Sequence, residues 1–256
     1  MSAGAASGWV EVGDRVFVRR HAALDLNCGL VVGEGRCLVV DTRSHLGEGQ
    51  ALAEAVRAVT PHPWTVVNTH AHFDHCFGNA AFRPAEVWGS RRCAADLAAT
   101  GDRRRALVVA GLRAAGDLAE ADLVAAAPID PPDSVVDDVT VLDVGGRTVT
   151  LALPGRGHTD GDLVVAVDDV LFAGDLVEEG APPAMEDAFP LEWPATLTAV
   201  HALARGPVVP GHGAVVDRAF VLAQRDELAA LARWLVDPSA PPAFDEPTRR
   251  TARSRL

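Results

Sequence analysis

The segment Thr69-His70-Ala71-His72-Phe73-Asp74-His75 places four metal-capable side chains within six residues. It follows residues 64–68, a short apolar run that predicts a buried strand. A strand cannot aim these four side chains at one point, because alternate residues face opposite sides of a sheet. A tight loop at the end of a strand can do so. Imidazole and carboxylate ligands together suit zinc, manganese or iron. The segment therefore predicts a metal site at a strand end.

Three later positions share another pattern, in which a short apolar run and small residues precede one metal-capable side chain. They are His158 in Pro154-Gly155-Arg156-Gly157-His158-Thr159, Asp175 in Leu171-Phe172-Ala173-Gly174-Asp175, and His212 in Pro210-Gly211-His212-Gly213. Small neighbours leave room for a metal ion and its water. Each position alone is a weak signal, since a lone His or Asp is more often a satisfied polar residue. Together, in this order, they predict a second set of ligands.

These motifs resemble, in the same order, those of the metallo-β-lactamase superfamily, with a metal-site pattern like that of glyoxalase II. They span residues 70–212. The resemblance implies an α/β fold, a four-layer αββα sandwich with the metals at one edge. It also implies a dinuclear site in which one ion is bound by His70, His72 and His158, the other by Asp74, His75 and His212, and both by Asp175.

The same resemblance implies an enzyme, a metal-dependent hydrolase with two divalent ions. Zinc is the favoured metal, and iron and manganese stay open. Two cations about 3.5–4 Å apart hold a bridging water and lower its pKa, so that a bridging hydroxide attacks the substrate. The resemblance also implies a catalytic role for Asp74 in orienting this nucleophile. Asp160 and Asp162 are candidates for fixing His158, and whether Asn27 faces the metals is left open.

The composition limits the class of protein. A length of 256 residues suits a single domain over 1–256, with 1–8 and about 237–256 expected to be loose. The net charge of −12 argues against a nucleic-acid partner. No apolar run reaches the ~20 residues of a membrane helix, and the first residues lack the pattern of a signal peptide. Four cysteines without a CxxC pair favour a cytoplasmic protein; Cys76, beside His75, is expected to pack in the core. Oligomeric state is not predicted.

Hydrophobic periodicity predicts alternating hairpins and helices. The expected hairpins turn at Gly13-Asp14, Gly33-Glu34-Gly35, Gly145-Gly146 and Asp168-Asp169. The expected helices cover 46–59, 90–99, 102–126, 196–203 and 217–235. The segment 102–126 reads either as a packing helix pair or as a lid beside the active site.

The residue types that the chain lacks limit the range of possible substrates. It contains no Tyr and no Lys, so all 23 of its basic residues are Arg. One group of true β-lactamases has Cys where this chain has Asp175, and uses a Lys for the drug carboxylate, which argues against lactam hydrolysis. The loop 176–193 follows Asp175, and its apolar residues Met185, Phe189 and Trp193 are predicted to line a substrate pocket, with ordinary packing as the alternative.

The expected reaction is therefore hydrolysis of a small-molecule ester, thioester or lactone. Two alternatives stay open on the same fold. One is a non-heme iron dioxygenase or other redox enzyme, and the other is a cyclase-like enzyme of secondary metabolism.

Overall fold

The computed structural model describes residues 8–241 and 243–256. The chain divides into two compact units. Unit 1 comprises Met1–Arg19, Cys28–Asp137 and Asp143–Arg147, and unit 2 comprises Arg20–Asn27, Asp138–Leu142 and Thr148–Leu256. Apart from Gly8, the expected loose leader lies outside the described residues, and the single domain over 1–256 stays a prediction. Within the described ranges, no helix combines the length and apolarity that crossing a membrane requires.

Unit 1 is built on a sheet whose inner strands are mainly apolar and buried. Its strands are β1 (Val10–Gly13), β2 (Val16–His21), β3 (Leu26–Val32), β4 (Cys37–Val40), β5 (Trp64–Val67), β6 (Val87–Ser90) and β7 (Ser134–Val136). The last two residues of β2 and the first two of β3 belong to unit 2. The strand order is β7-β6-β5-β4-β3, and β2 pairs with both β1 and β3. Strands β4 to β7 are mutually parallel, whereas β3 is antiparallel to β4. Both hairpins predicted here are confirmed, while β6 and β7 were not predicted.

The helices of unit 1 are α1 (Leu46–Val59), α2 (Phe73–Cys76), α3 (Arg91–Ala115) and α4 (Leu118–Ala125). The prediction for α1 is confirmed. Helix α3 is much longer than predicted, because Gly101 continues it and the left-handed Gly116 (φ +85°) ends it. Val109 of α3 and Val124 of α4 are buried in one apolar cluster with Phe77. This contact gives the helix pair a packing role, and a lid role stays a prediction.

Helix α3 begins with a side-chain cap at Ser90, and removing that cap should cost stability. The buried Ser90 hydroxyl accepts a hydrogen bond from the backbone N–H of Cys93 at 2.9 Å. Replacing Ser90 with alanine is expected to lower the free energy of unfolding by about 1 kcal/mol, measured by urea denaturation. Ser239→Ala, in an exposed turn, is the control and is expected to change it by less than about 0.5 kcal/mol. Equal values for the two variants would contradict the capping role.

Unit 2 carries a second set of paired strands. These are β8 (Val139–Asp143), β9 (Thr148–Ala152), β10 (Val164–Val167), β11 (Val170–Glu178) and β12 (Val208–His212). Their order is β8-β9-β10-β11-β12, with β11 and β12 parallel. Both hairpins predicted here are confirmed. Strand β11 extends to Glu178, so Asp175 lies within it rather than at its end. At the far side of β12, His212 pairs with Leu26.

The helices of unit 2 are α5 (Trp193–Leu203), α6 (Arg218–Val236) and α7 (Glu246–Arg253). The prediction for α6 is confirmed, and α5 starts three residues earlier than expected. Helix α7 differs from the expectation that 237–256 is loose. Asp245 caps it, Ala252 is buried, and the Arg253 guanidinium lies 4.2 Å from the Trp234 ring centroid. The Pro- and Arg-rich sequence did not predict this helix, because its stacking contact with α6 has no signal in the local sequence.

Candidate metal centre

The predicted metal loop of unit 1 lies directly after β5. His70 and His75 are 1% and 0% exposed, although both are polar. The ligand atoms of His70 and His72 lie within 4.8 Å of each other, and so do those of Asp74 and His75. Short helix α2 places Asp74 and His75 side by side, with Asp74 Oδ2 3.6 Å from His75 Nε2. Unit 1 thus gathers two neighbouring pairs of donors from one loop.

A residue that the sequence analysis missed, Asp41, holds this loop in place. It follows β4, and because β4 and β5 are parallel, their carboxyl ends meet at one edge of the sheet. The buried Asp41 carboxylate accepts hydrogen bonds from the backbone N–H and hydroxyl of Thr69, each at 2.8 Å, and contacts His75 Nδ1 at 2.8 Å. Its position was the available signal, because Asp41 follows an apolar run, which is the pattern that also pointed to Asp175.

These contacts fix which nitrogen of each imidazole carries the hydrogen. A carboxylate only accepts, so His75 must donate from Nδ1 to Asp41. The Thr69 hydroxyl donates its one hydrogen to Asp41. His70 Nδ1, 3.0 Å from the Thr69 oxygen, must therefore be the donor in that contact. In the neutral form of both rings, Nε2 then carries no hydrogen and presents its lone pair. This arrangement is typical of histidines that bind a metal through Nε2.

The three predicted ligands of unit 2 meet at a single carboxylate oxygen. Asp175 Oδ2 lies 3.4 Å from His158 Nε2 and 3.3 Å from His212 Nε2. Asp175 and His158 are 5% and 2% exposed. The His212 ring is held by the backbone carbonyl of Leu24, which accepts from Nδ1 at 2.7 Å. His212 therefore also presents Nε2, and one carboxylate oxygen stands between two imidazole nitrogens.

Glycine is required beside these ligands for steric reasons. A Cβ at position 211 would lie 1.7 Å from Oδ1 of Asp175, and one at position 157 would lie 2.4 Å from Leu176. The small residues that flank the predicted ligands thus make room for the carboxylate and for the apolar core beneath it. The same small residues were predicted to leave room for a metal ion.

Other polar residues support the ligands of unit 2. Asn27 donates from Nδ2 to the carbonyls of Pro210 and Gly213, at 3.0 and 2.9 Å, and so holds the turn of His212. The buried Asp162 accepts from the backbone N–H of Thr159 at 2.9 Å and shapes the turn that follows His158. Asp160, the other candidate for fixing His158, lies 3.7 Å from Arg156. Glu178, which was not predicted, lies 3.7 Å from Nδ1 of His158.

The predicted pocket wall needs a correction. Met185 and Trp193 are 2% and 0% exposed and belong to the apolar cluster of unit 2. Trp193 donates from Nε1 to the carbonyl of Leu176 at 3.1 Å and packs edge-on against the His158 ring. Both side chains therefore have almost no surface for a substrate, and ordinary packing explains them. Phe189 is half-buried under the Arg156 guanidinium, and its contact with substrate stays a prediction.

The four cysteines do not belong to the donor sets described above. All four are buried, and Cys76 lies in the apolar cluster of unit 1, which confirms its packing role. Burial raises the pKa of the Cys37 thiol to about 11 and raises the pKa values of Cys28 and Cys76 well above their usual range. These thiols are therefore protonated at neutral pH and poorly reactive.

This burial should appear in thiol titration. At pH 8, less than about a tenth of the thiol groups of the native protein is expected to react with Ellman's reagent within minutes, because the thiolate is the reacting form. After unfolding in guanidinium chloride, all four cysteines should react at once. A fast phase equal to one or more thiols in the native protein would show that burial does not protect them.

Comparison with known proteins identifies the family of this chain. A sequence profile of the metallo-beta-lactamase superfamily matches residues 23–226. Metallo-beta-lactamase type 2 of Bacillus cereus is 32% identical over 127 residues, which cover 46% of this chain and 49% of that protein. The protein of the same name from Bacillus sp. (strain 170) is 30% identical over 130 residues, 48% of this chain and 51% of that protein. The chain thus spans about half the length of these curated relatives.

Solved structures share the fold. A metallo-beta-lactamase from Pontibacter korlensis matches with a TM-score of 0.67 and 19% identity, over 85% of this chain and 98% of that one. The mono-zinc form of the metallo-beta-lactamase FIM-1 from Pseudomonas aeruginosa matches with a TM-score of 0.64 and 17% identity, over 88% and 95%. The predicted α/β class is therefore confirmed, and the chain belongs to the metallo-beta-lactamase superfamily.

Proposed function

We propose that this protein is a dinuclear metal-dependent hydrolase of a small-molecule ester, thioester or lactone. The observation that carries the proposal is the position of Asp175 Oδ2, 3.4 Å from His158 Nε2 and 3.3 Å from His212 Nε2. An oxygen so placed suits a ligand shared by two ions, one bound through each imidazole. In this proposal His70 and His72 join His158 on one ion, and Asp74 and His75 join His212 on the other.

The donor set fits divalent zinc. Buried imidazoles that present Nε2, together with carboxylates, are the ligands of zinc in catalytic sites. Iron and manganese accept the same ligands, so metal identity is part of the proposal. When bound, such ions would supply Lewis acidity and lower the pKa of a coordinated water.

The residues of the chain have distinct tasks in this scheme. Asp74 is 7% exposed, so its carboxylate can accept a hydrogen bond from the attacking water with little competition from bulk solvent. Asp41 and the Leu24 carbonyl keep His75 and His212 in the tautomer that presents Nε2. Burial of these groups in a preorganised arrangement is what favours charge development during hydrolysis.

The choice of substrate rests on the chemistry of the side chains. In this proposal Asp175 is the bridging ligand, and the chain has no Lys for a lactam carboxylate. The net charge of −12 supports a small molecule over a nucleic acid. A cytoplasmic location stays a prediction. β-Lactam hydrolysis is a second candidate, since the curated relatives carry the name metallo-beta-lactamase type 2.

The test combines metal analysis with a panel of substrates. We expect protein purified without added metal to contain about two zinc ions per chain. It should hydrolyse 4-nitrophenyl esters, thioesters or lactones faster than the β-lactam nitrocefin. His70→Ala should lose metal and turnover, whereas His201→Ala, on α5 and outside the motifs, should keep both.

Other outcomes would redirect the proposal. Faster nitrocefin turnover would favour the β-lactamase candidate. About two irons per chain with oxygen uptake and little hydrolysis would favour the dioxygenase, and bound zinc without hydrolysis of any panel member would favour a cyclase-like enzyme. Wild-type behaviour of His70→Ala would overturn the metal site itself.

A further inference from the structure

Unit 2 contains a cavity whose lining includes none of the proposed metal ligands. It has a volume of about 540 Å³ and lies between the end of β11, the residues after it, helix α6 and the segment before α7. Sites for small organic molecules have volumes of about 300–1,000 Å³. The cavity is therefore large enough for a ligand of its own.

The walls of this cavity are mainly apolar. They include Pro182, Pro183, Phe220 and Phe244. Both phenylalanines are half-buried and pack against the apolar cluster of unit 2. Aromatic faces attract organic cations, and proline rings offer apolar contact without loss of side-chain freedom. The walls suit a ligand with a hydrocarbon body.

The charged residues in the lining are both acidic. Glu178 is 9% exposed, and its Oε1 accepts a hydrogen bond from the backbone N–H of Ala184 at 2.9 Å. Its own backbone N–H donates to Gln224 at 3.3 Å, which fixes the base of the side chain. Glu227, on α6, is exposed at the mouth. A fixed buried carboxylate and an exposed one in the same lining create a negative potential, and the net charge of −12 strengthens it.

We propose that this cavity binds a small organic ammonium cation through Glu178 and Glu227, with its apolar body against Phe220 and Phe244. A hard metal ion fits the cavity less well, because such ions take six or more oxygen ligands and these walls are hydrocarbon. The proposal goes beyond the hydrolase function, since neither carboxylate belongs to the proposed metal ligands. It names a ligand class for a second site.

A matched pair of probes separates charge from apolar contact. Isothermal titration calorimetry on the protein as purified compares 2-phenylethylammonium with 2-phenylethanol, which has the same ring and chain but no charge. We expect the ammonium to bind at least about tenfold more tightly, and added salt to reduce this difference. Equal affinity of the two probes, or no binding of the ammonium, would overturn the proposal.

Variants locate the binding to this cavity. Glu227→Gln is expected to weaken ammonium binding about three- to tenfold, because it removes one of two attracting charges. Phe220→Leu keeps apolar volume but removes the aromatic face, and should also weaken it. Asp226→Asn is the control, since this exposed neighbour pairs with Arg225 and does not line the cavity. Wild-type affinity in Glu227→Gln, with binding otherwise intact, would show that the cation binds elsewhere.

Glu178 also lies 3.7 Å from Nδ1 of the proposed ligand His158, so the two proposals are tested by separate readouts. Binding is measured by heat and needs no turnover, and metal content is determined on the same sample. Zinc loading without ammonium binding would remove only the second site, whereas ammonium binding without metal would remove only the hydrolase.

Discussion

Replacing Asp175 with alanine is expected to reduce bound zinc from about two ions per chain to one or none, and ester turnover by more than about 100-fold. The loss of an outer hydrogen-bond partner of a metal ligand already costs about 10–100-fold in affinity or activity, and the loss of a shared ligand should exceed it. Asp175 Oδ2 is the atom that stands between His158 and His212. Without this carboxylate, the two imidazoles lose their shared oxygen ligand, and a water molecule is a weaker metal ligand in its place.

Metal content by mass spectrometry and steady-state turnover, measured on the same preparation, check this expectation. Asp169→Ala is the matched control, because this exposed carboxylate lies in the turn between β10 and β11 and touches none of the proposed ligands. Thermal unfolding of both variants shows whether the fold is retained. If Asp175→Ala kept both ions and wild-type turnover, the shared-ligand role would be wrong.

Replacing Asp41 with alanine is expected to weaken zinc binding about 10–100-fold, although Asp41 is not a proposed ligand. Its removal takes the acceptor from His75 Nδ1 and from both donors of Thr69, all of them buried. The His75 tautomer and the hydrogen-bond chain to His70 are then no longer fixed. Each donor left buried without an acceptor also costs about 1–3 kcal/mol of stability.

A competition titration with a chromophoric chelator measures the zinc affinity, and thermal unfolding measures the loss of stability. Asp41→Asn keeps the shape of the side chain and one good acceptor, so it should fall between wild type and Asp41→Ala. Asp137→Ala removes an exposed acid that pairs with Arg91 and should bind zinc like wild type. Unchanged zinc affinity in Asp41→Ala would mean that His75 is oriented by other contacts.

The proposed ligands were predictable because their signal is local. Four donors in the segment from His70 to His75, and single donors next to glycines, are recognisable without any knowledge of distant contacts. The structure gathers the donors of each unit as these patterns suggested. Asp41 was missed because its role depends on the parallel pairing of β4 with β5. That pairing brings Asp41 within hydrogen-bond distance of Thr69, 28 positions later, and no local pattern records it.

The pocket residues show the limit of the same approach. An apolar side chain in a loop can face a substrate or the core, and composition alone does not distinguish these two environments. Met185 and Trp193 both face the core of unit 2 rather than a substrate. Helix α7 is a similar case, because Arg253 stacks on Trp234 of α6 and the helix carries no apolar stripe of its own.

The burial of every native thiol makes this chain a convenient host for spectroscopic probes. A cysteine introduced at an exposed position would be the fast-reacting thiol, with no need to remove the native ones first. Leu107 in unit 1 and Val236 in unit 2 are 63% and 75% exposed and suit this purpose. Spin labels at these two positions would report the distance between the units, and its distribution, before and after zinc is added.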